Sequence, residues 1–98
     1  MIINKTLEQT TLRLAPVGRL DTITATEFAN EIDASLAGVK ELIIDLTELS
    51  YISSAGLRII LKTQKTMSAQ GCMKVTGVND MIMEVFEITG FADILTIE

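Results

Sequence analysis

The sequence predicts an α/β fold in which helices pack on a mixed, largely parallel central sheet. Short segments with strand-type alternation or dense apolar character alternate along the chain with longer segments whose apolar residues recur at helical spacing. Strands that alternate with helices imply right-handed crossovers and parallel pairing. The 98 residues contain no repeat, linker or low-complexity tract, so we expect residues 1–98 to form a single domain with one modest core.

The first two segments predict an antiparallel pair of strands. Leu12, Leu14 and Pro16 alternate with the residues between them, and this period of two is typical of a half-buried strand. Residues 2–7 are expected to pair with it. Gly18 then breaks the alternation.

A first helix is predicted to start near Ile23, with Asp21 or Thr22 as its N-cap, and to end at Gly38. Its apolar residues recur at intervals of three and four, which is the spacing of one helix face. The residues of this face are Ala25, Phe28, Ala29, Ile32 and Leu36.

Residues 41–46 form a dense apolar run, and a run that is apolar on both faces predicts a central strand. We expect residues 49–52 to form a turn into a second helix that closes at Gly71. The buried stripe expected for this helix is Leu57, Ile60, Leu61, Gln64 and Met67 or Ser68.

The last third predicts a strand over residues 72–78, a helix capped by Asn79 or Asp80 and stopped by Gly90, and a final strand over residues 93–97. The face that the third helix should bury consists of Ile82, Val85, Phe86 and Thr89. Of the two methionines in this helix, Met81 and Met83, we expect one to pack and the other to be exposed.

Composition argues against several classes of function. The net charge is −5 and the eight Lys and Arg are scattered, so neither nucleic acid nor an anionic membrane is an expected partner. The chain has no His and a single cysteine, which removes the commonest general base and argues against a metal site. No glycine-rich loop suggests a nucleotide cofactor. We therefore expect no enzyme, no metal and no cofactor, but a basic or neutral protein partner.

Cys72 is expected to be a small buried residue, and as the only cysteine it cannot form an intrachain disulfide. The N-terminus lacks a signal-peptide pattern, and no apolar run approaches the ~20 residues that a membrane helix needs. These features predict a cytoplasmic protein.

The segment of residues 51–57 carries the most specific signal. Ser53 and Ser54 precede Ala55 and Gly56 at the predicted start of the second helix, where free N–H groups favour a negative charge. A phosphate placed on a serine there would be stabilised by the helix. The alternative is that a serine simply caps the helix. One cap needs only one serine, however, and small residues in the first turn suit the close approach of a partner.

Residues Ser53–Leu57 resemble the signature of the STAS family, which is shared by anti-sigma factor antagonists and sulfate transporters. In the bacterial antagonists this signature usually reads Asp-Ser-Ser-Gly-Leu or Asp-Ser-Thr-Gly-Leu. Residues 17–21 (Val-Gly-Arg-Leu-Asp) are similar to an early turn of the family, and residues 42–46 are similar to its central strand. The chain departs from the family by having Ser53 in place of the aspartate and Ala55 in place of the second hydroxyl.

The resemblance implies that Ser54 is the phosphorylated residue, with Ser53 as the second choice. It also implies partner switching: the unmodified protein binds an anti-sigma factor that is an ATP-dependent serine kinase, phosphorylation releases it, and a serine phosphatase resets it. The residues expected to contact the partner are Asp21, Ser53, Ser54, Ala55, Gly56 and Arg58.

Two other functions are weighed beside this one. A constitutive binding subunit of a larger assembly would use Ser54 only as a helix cap. An enzyme with an acidic site would depend on Asp21 or Asp45, and this is a distant third hypothesis.

Overall fold

The computed structural model describes residues 1–98 and contains five strands and three α-helices. In chain order the elements are β1 (Ile2–Glu8), β2 (Thr11–Leu20), α1 (Thr22–Ser35), β3 (Glu41–Asp45), β4 (Leu49–Ile52), α2 (Ser54–Gln70), β5 (Cys72–Thr76), α3 (Asp80–Thr89) and a short 3-10 turn (Phe91–Asp93).

The sheet is mixed and largely parallel, which confirms the predicted fold class. Its order is β1-β2-β3-β5, and β4 joins it by pairing with β2. Strands β1 and β2 form the predicted antiparallel pair, whereas β2, β3 and β5 run parallel to one another. Strand β3 is central, as its apolar character predicted.

Strand β2 is long because it pairs with two partners in succession. Residues 11–14 pair with β3, and residues 18–20 pair with β4, which continues the sheet beyond the end of β3. Gly18, with φ +97°, lies at the register shift before Arg19, where the regular pairing is interrupted, and the strand continues to Leu20. One prediction is wrong here. Residues 49–52 form a strand and not a turn, because residues 18–20 at the C-terminal end of β2 pair with them.

The core lies between the helices and one face of the sheet. Alternate residues of β2, β3 and β5 are buried on this face, as the period of two requires. All three helices contribute to the same apolar cluster. The largest fully buried side chains are those of Phe28, Phe86, Leu12, Leu14, Leu20, Leu42, Ile44, Leu46, Leu49, Ile60, Met67 and Ile82.

The second helix buries part of the predicted stripe. Leu57, Ile60 and Met67 are buried as predicted. Leu61 and Gln64 are only half-buried, whereas Gly56 and Thr63 are buried. The hydroxyl of Thr63 donates to the Ile59 carbonyl oxygen at 2.7 Å, so this polar side chain enters the core with its hydrogen bond satisfied.

Two further predictions near the C-terminus are wrong. Cys72 is exposed, because its neighbour Met73 occupies the core face and successive strand residues point to opposite faces. Residues 93–97 do not form a strand. A 3-10 turn follows the left-handed Gly90, and only Ile97 comes alongside β5, as a single parallel bridge to Val75.

One helix end differs from its prediction: α1 ends at Ser35 with Leu36 as its C-cap, and Gly38, with φ +79°, lies in the turn in which the Val39 amide donates to the Leu36 carbonyl oxygen. The other predicted caps are confirmed. Asp21 caps α1, Asn79 caps α3, and Gly90 ends α3 with φ +81°. Val85 is half-buried and Thr89 is exposed on α3. No helix of the protein has the length and apolar character that crossing a membrane requires.

Candidate functional site

The topology brings the starts of two helices together at one end of the sheet. Strands β2 and β4 run parallel, and their last residues, Leu20 and Ile52, are in register. Each strand leads directly into a helix, so the two caps, Asp21 of α1 and Ser53 of α2, are neighbours. The Ser53 amide donates to the Leu20 carbonyl oxygen at 2.8 Å and fixes this arrangement.

Asp21 is held in place by the first turn of α1. Its carboxylate accepts hydrogen bonds from the amides of Thr24 at 2.9 Å and Ile23 at 3.0 Å, and the Thr24 hydroxyl accepts one from the Asp21 amide at 2.8 Å. The Thr24 backbone hydrogen bond, with help from the Thr24 hydroxyl, the Ile23 amide and the charge of Arg19, outweighs desolvation and lowers the pKa of Asp21. Asp21 is therefore a fixed negative charge at neutral pH.

The two serines at the start of α2 differ in their hydrogen bonds. Ser53 is the N-cap of α2, and its hydroxyl accepts a hydrogen bond from the Gly56 amide at 3.2 Å. Ser54 is the first residue of the helix, is exposed, and forms no side-chain hydrogen bond. The amides of Ser54 and Ala55 lie in the first turn, where no residue of the helix can accept from them.

Gly56 is small for a reason that the sequence did not reveal. It is buried, and a Cβ at this position would lie 2.9 Å from side-chain carbons of both Ile52 and Leu20. Its lack of a side chain lets α2 start close to the ends of β2 and β4. Ala55 is half-buried beside it.

The third helix also begins near this end of the sheet. Its cap, Asn79, donates from Nδ2 to the Leu49 carbonyl oxygen at 3.1 Å and accepts from the Ile82 amide at 2.8 Å. The start of α3 is thereby tied to the start of β4. Of the two methionines, Met81 is exposed, as was predicted for one of them, and Met83 is half-buried.

Exposed apolar side chains lie on the strand that precedes the two serines and in the first turns of the two neighbouring helices. Ile23 is 77% exposed in the first turn of α1, Met81 is 62% exposed in the first turn of α3, and Tyr51 is 37% exposed at the end of β4. Arg19 lies over the Tyr51 ring, 4.2 Å from its centroid. We call Ile23, Tyr51 and Met81 the apolar rim. Of these three residues the sequence pattern indicated only Met81, although an Ile beside a helix cap and off the buried stripe was a readable signal.

Arg58 follows Ser54 by one helical turn and is exposed. Of the residues predicted to contact a partner, Asp21, Ser53, Ser54 and Ala55 lie together at the helix starts, Gly56 faces the core between them, and Arg58 continues the surface along α2.

Asp45 lies apart from this site and has a structural role. It pairs with Arg13 and accepts hydrogen bonds from the amide and the hydroxyl of Thr47. Burial opposes its ionisation, but the Thr47 hydrogen bonds and Arg13 prevail and lower the pKa of Asp45. No group of three His, Cys, Asp or Glu side chains is arranged to hold a metal ion.

Comparisons of the sequence with known proteins agree on one family. Residues 3–98 match the model of the STAS domain family. The anti-sigma-B factor antagonist of Listeria monocytogenes is 35% identical over 85 residues, which cover 83% of this chain and 73% of that protein. BtrV of Bordetella bronchiseptica is 37% identical over 75 residues, which cover 70% of this chain and 65%, or just under two thirds, of BtrV.

The fold is also that of SpoIIAA, an anti-sigma factor antagonist from Bacillus that has been solved in two forms. The unphosphorylated form superposes with a TM-score of 0.85 at 17% identity, over 99% of this chain and 88% of that one. The phosphorylated form gives a TM-score of 0.78 at 17% identity, over 99% and 91% of the two chains.

Proposed function

The chain belongs to the STAS domain family, and from this premise we propose that it is an anti-sigma factor antagonist that is switched by phosphorylation of Ser54. The antagonist role follows the names of its relatives from Listeria and Staphylococcus. The positions of Ser53 and Ser54 in this chain support the phosphorylation switch.

One observation carries the proposal: Ser53 caps α2, so the hydroxyl of Ser54 is left free and exposed. A kinase can reach this hydroxyl without breaking a hydrogen bond of the fold. The positive end of the α2 dipole and the unpaired first-turn amides favour a phosphate at this position. Phosphorylation is therefore expected to leave the domain folded. One of the solved structures of this fold, SpoIIAA, is of a phosphorylated form.

A phosphate on Ser54 would weaken the interface with the partner. It adds about −1.5 to −2 charges at neutral pH, next to the fixed carboxylate of Asp21. A partner that packs against unmodified Ser54 would have to bury these charges without a counter-ion, which costs several kcal/mol of binding free energy. Partner release then follows from charge alone.

The expected partner is an anti-sigma factor that is an ATP-dependent serine kinase, and a serine phosphatase restores the unmodified state. The exposed side chains of the apolar rim supply apolar surface that such a partner can bury. In this role the protein acts in the cytoplasm by binding, and Asp21 and Asp45 serve recognition and structure instead of turnover.

The test is to isolate the protein from its own cells, measure its intact mass and map the phosphosite, with Ser54→Ala and Ser53→Ala alongside. We expect one phosphate on Ser54, absent from Ser54→Ala and retained in Ser53→Ala. The unmodified protein should capture an ATP-binding serine kinase, and the phosphorylated protein should bind that kinase about 100-fold more weakly.

Two results would overturn the switch. The absence of phosphate in every growth state would leave a constitutive binding subunit as the function. Equal affinity of the modified and unmodified proteins for the captured partner would show that the phosphate does not control binding.

A further inference from the structure

Arg58 lies four residues after Ser54 on α2, and this spacing has a geometric consequence. Residues i and i+4 of a helix share one face, with Cβ atoms about 5–6 Å apart. Helical side chains lean toward the N-terminus of their helix, so the long side chain of Arg58 can reach back over the turn that contains Ser54. The residues between them, Ala55, Gly56 and the buried Leu57, put no bulky side chain in its way.

The guanidinium of Arg58 is also unoccupied. The chain has three arginines, of which Arg13 pairs with Asp45 and Arg19 lies over the Tyr51 ring. Arg58 is exposed and takes part in none of the protein's ion pairs. The first turn of α2 contains no acidic residue, and the carboxylate of Asp21 at the neighbouring helix start already accepts hydrogen bonds from the amides of Ile23 and Thr24.

We infer that Arg58 is the intramolecular counter-ion of phosphorylated Ser54 and that phosphorylation withdraws Arg58 from the partner-binding surface. The planar guanidinium offers two parallel N–H donors to the oxygens of a phosphate, a geometry that the ammonium group of Lys lacks. In the unmodified protein the same guanidinium faces solvent and is free to bind an acidic group of a partner.

This inference rests on the proposed phosphorylation and adds a second cause of release. The phosphate brings a negative charge to the interface and at the same time removes a positive contact from it. A partner with a carboxylate opposite Arg58 would thus lose that contact as well as meet the new charge.

The test installs phosphoserine at position 54 during translation, so that neither a kinase nor a binding partner is needed. The second pKa of the phosphate, about 6 in free phosphoserine, is measured by a ³¹P NMR titration of the folded protein. We expect Arg58→Gln to raise this pKa by about half a pH unit, because the dianion loses its partner. Arg58→Lys should restore part of the difference.

Lys65→Gln is the matched control. It removes one positive charge from the same helix, but its backbone lies about 16 Å along the axis from Ser54, beyond the screening length at physiological salt. Its phosphate should titrate as in the parent protein. A thermal melt of each variant verifies that the titrated protein is folded.

The inference is overturned if the parent and Arg58→Gln proteins titrate alike, or if Lys65→Gln shifts the pKa as much as Arg58→Gln does. Either result would disprove only the role of Arg58 as the counter-ion of the phosphate. Failure of the proposed function would instead appear as an absence of phosphate on the protein from its own cells.

Discussion

The two ends of the parallel strands are built in opposite ways. At the end where the strands begin, which we call the anchored end, the Gln70 side chain donates to the carbonyl oxygens of Leu36 and Val39 at 2.8 and 2.7 Å. There the carbonyl of Lys40 also accepts the Cys72 amide at 2.9 Å. The C-termini of α1 and α2 are thus connected to one another and to the sheet.

At the end where β2 and β4 finish, which we call the open end, the protein leaves groups available. Asp21 and Ser53 cap their helices, but the Ser54 hydroxyl is free and the apolar rim is exposed. Helix N-termini gather at this end because β2, β4 and β5 each lead into a helix, and ligands of open α/β sheets bind at the carboxyl ends of strands for the same reason. Groups that stabilise the fold and groups that are free to bind a partner therefore lie at opposite ends of the sheet. Substitutions at the anchored end should change the free energy of unfolding, and substitutions at the open end should change binding.

The largest effect is expected at the anchored end, from Gly71→Ala. A Cβ at Gly71 would lie 2.7 Å from the carbonyl carbon of Lys40 and closer still to its oxygen, and this backbone cannot move without disturbing the Lys40–Cys72 hydrogen bond. We expect a loss of about 3 kcal/mol in the free energy of unfolding, measured by denaturant titration.

Gly38→Ala is the control for this change. Nothing lies within 4 Å of a Cβ there, so only the positive φ of 79° opposes the substitution, at a cost of about 1 kcal/mol. Equal losses from the two substitutions would show that the close approach of Gly71 to Lys40 is not what stabilises this end.

An intermediate effect is expected at the open end, where Ser53→Ala and Ser54→Ala form a matched pair. Ser53→Ala removes the N-cap of α2 and should lower the free energy of unfolding by about 1 kcal/mol. Ser54→Ala removes a hydroxyl without a hydrogen bond, and its effect should stay within about 0.5 kcal/mol. Denaturant titration of both variants measures the difference. If Ser54→Ala were the more destabilising of the two, Ser54 would be a structural residue and the separation between the two ends would fail.

The smallest effect is expected in the dependence of stability on acid, from Asp45→Asn. Because the fold lowers the pKa of Asp45, its ionised form stabilises the protein above the ordinary value of 3.8, and this contribution is lost as the pH falls through the lower folded value. The variant should be less stable than the parent at pH 7, and the difference should shrink at pH 3 and below. Thermal melts across this range measure it, and a difference that does not change with pH would contradict the role assigned to Arg13 and Thr47.

Local chemistry in the sequence was enough to predict most of the elements. The β1–β2 pair, the central strand β3 and the three helices follow from apolar periodicity, and the start of α1 and both ends of α3 follow from Asp21, Asn79 and Gly90. These signals are readable because strand alternation, helical spacing and capping depend on residues close together in the chain. The serine pair was singled out for the same reason.

The tertiary structure decided what depends on distant partners. Residues 49–52 become strand β4 only because β2 extends beyond the end of β3 and its residues 18–20 are free to pair. Residues 93–97 do not become a strand because Gly90 and the 3-10 turn leave only Ile97 beside β5. Gly56 is small because Leu20 and Ile52 converge on it. Which serine caps α2, and which is left free, was fixed by where β4 ends against Leu20. Each outcome depends on contacts between residues far apart in the chain, and periodicity within a segment carries no information about them.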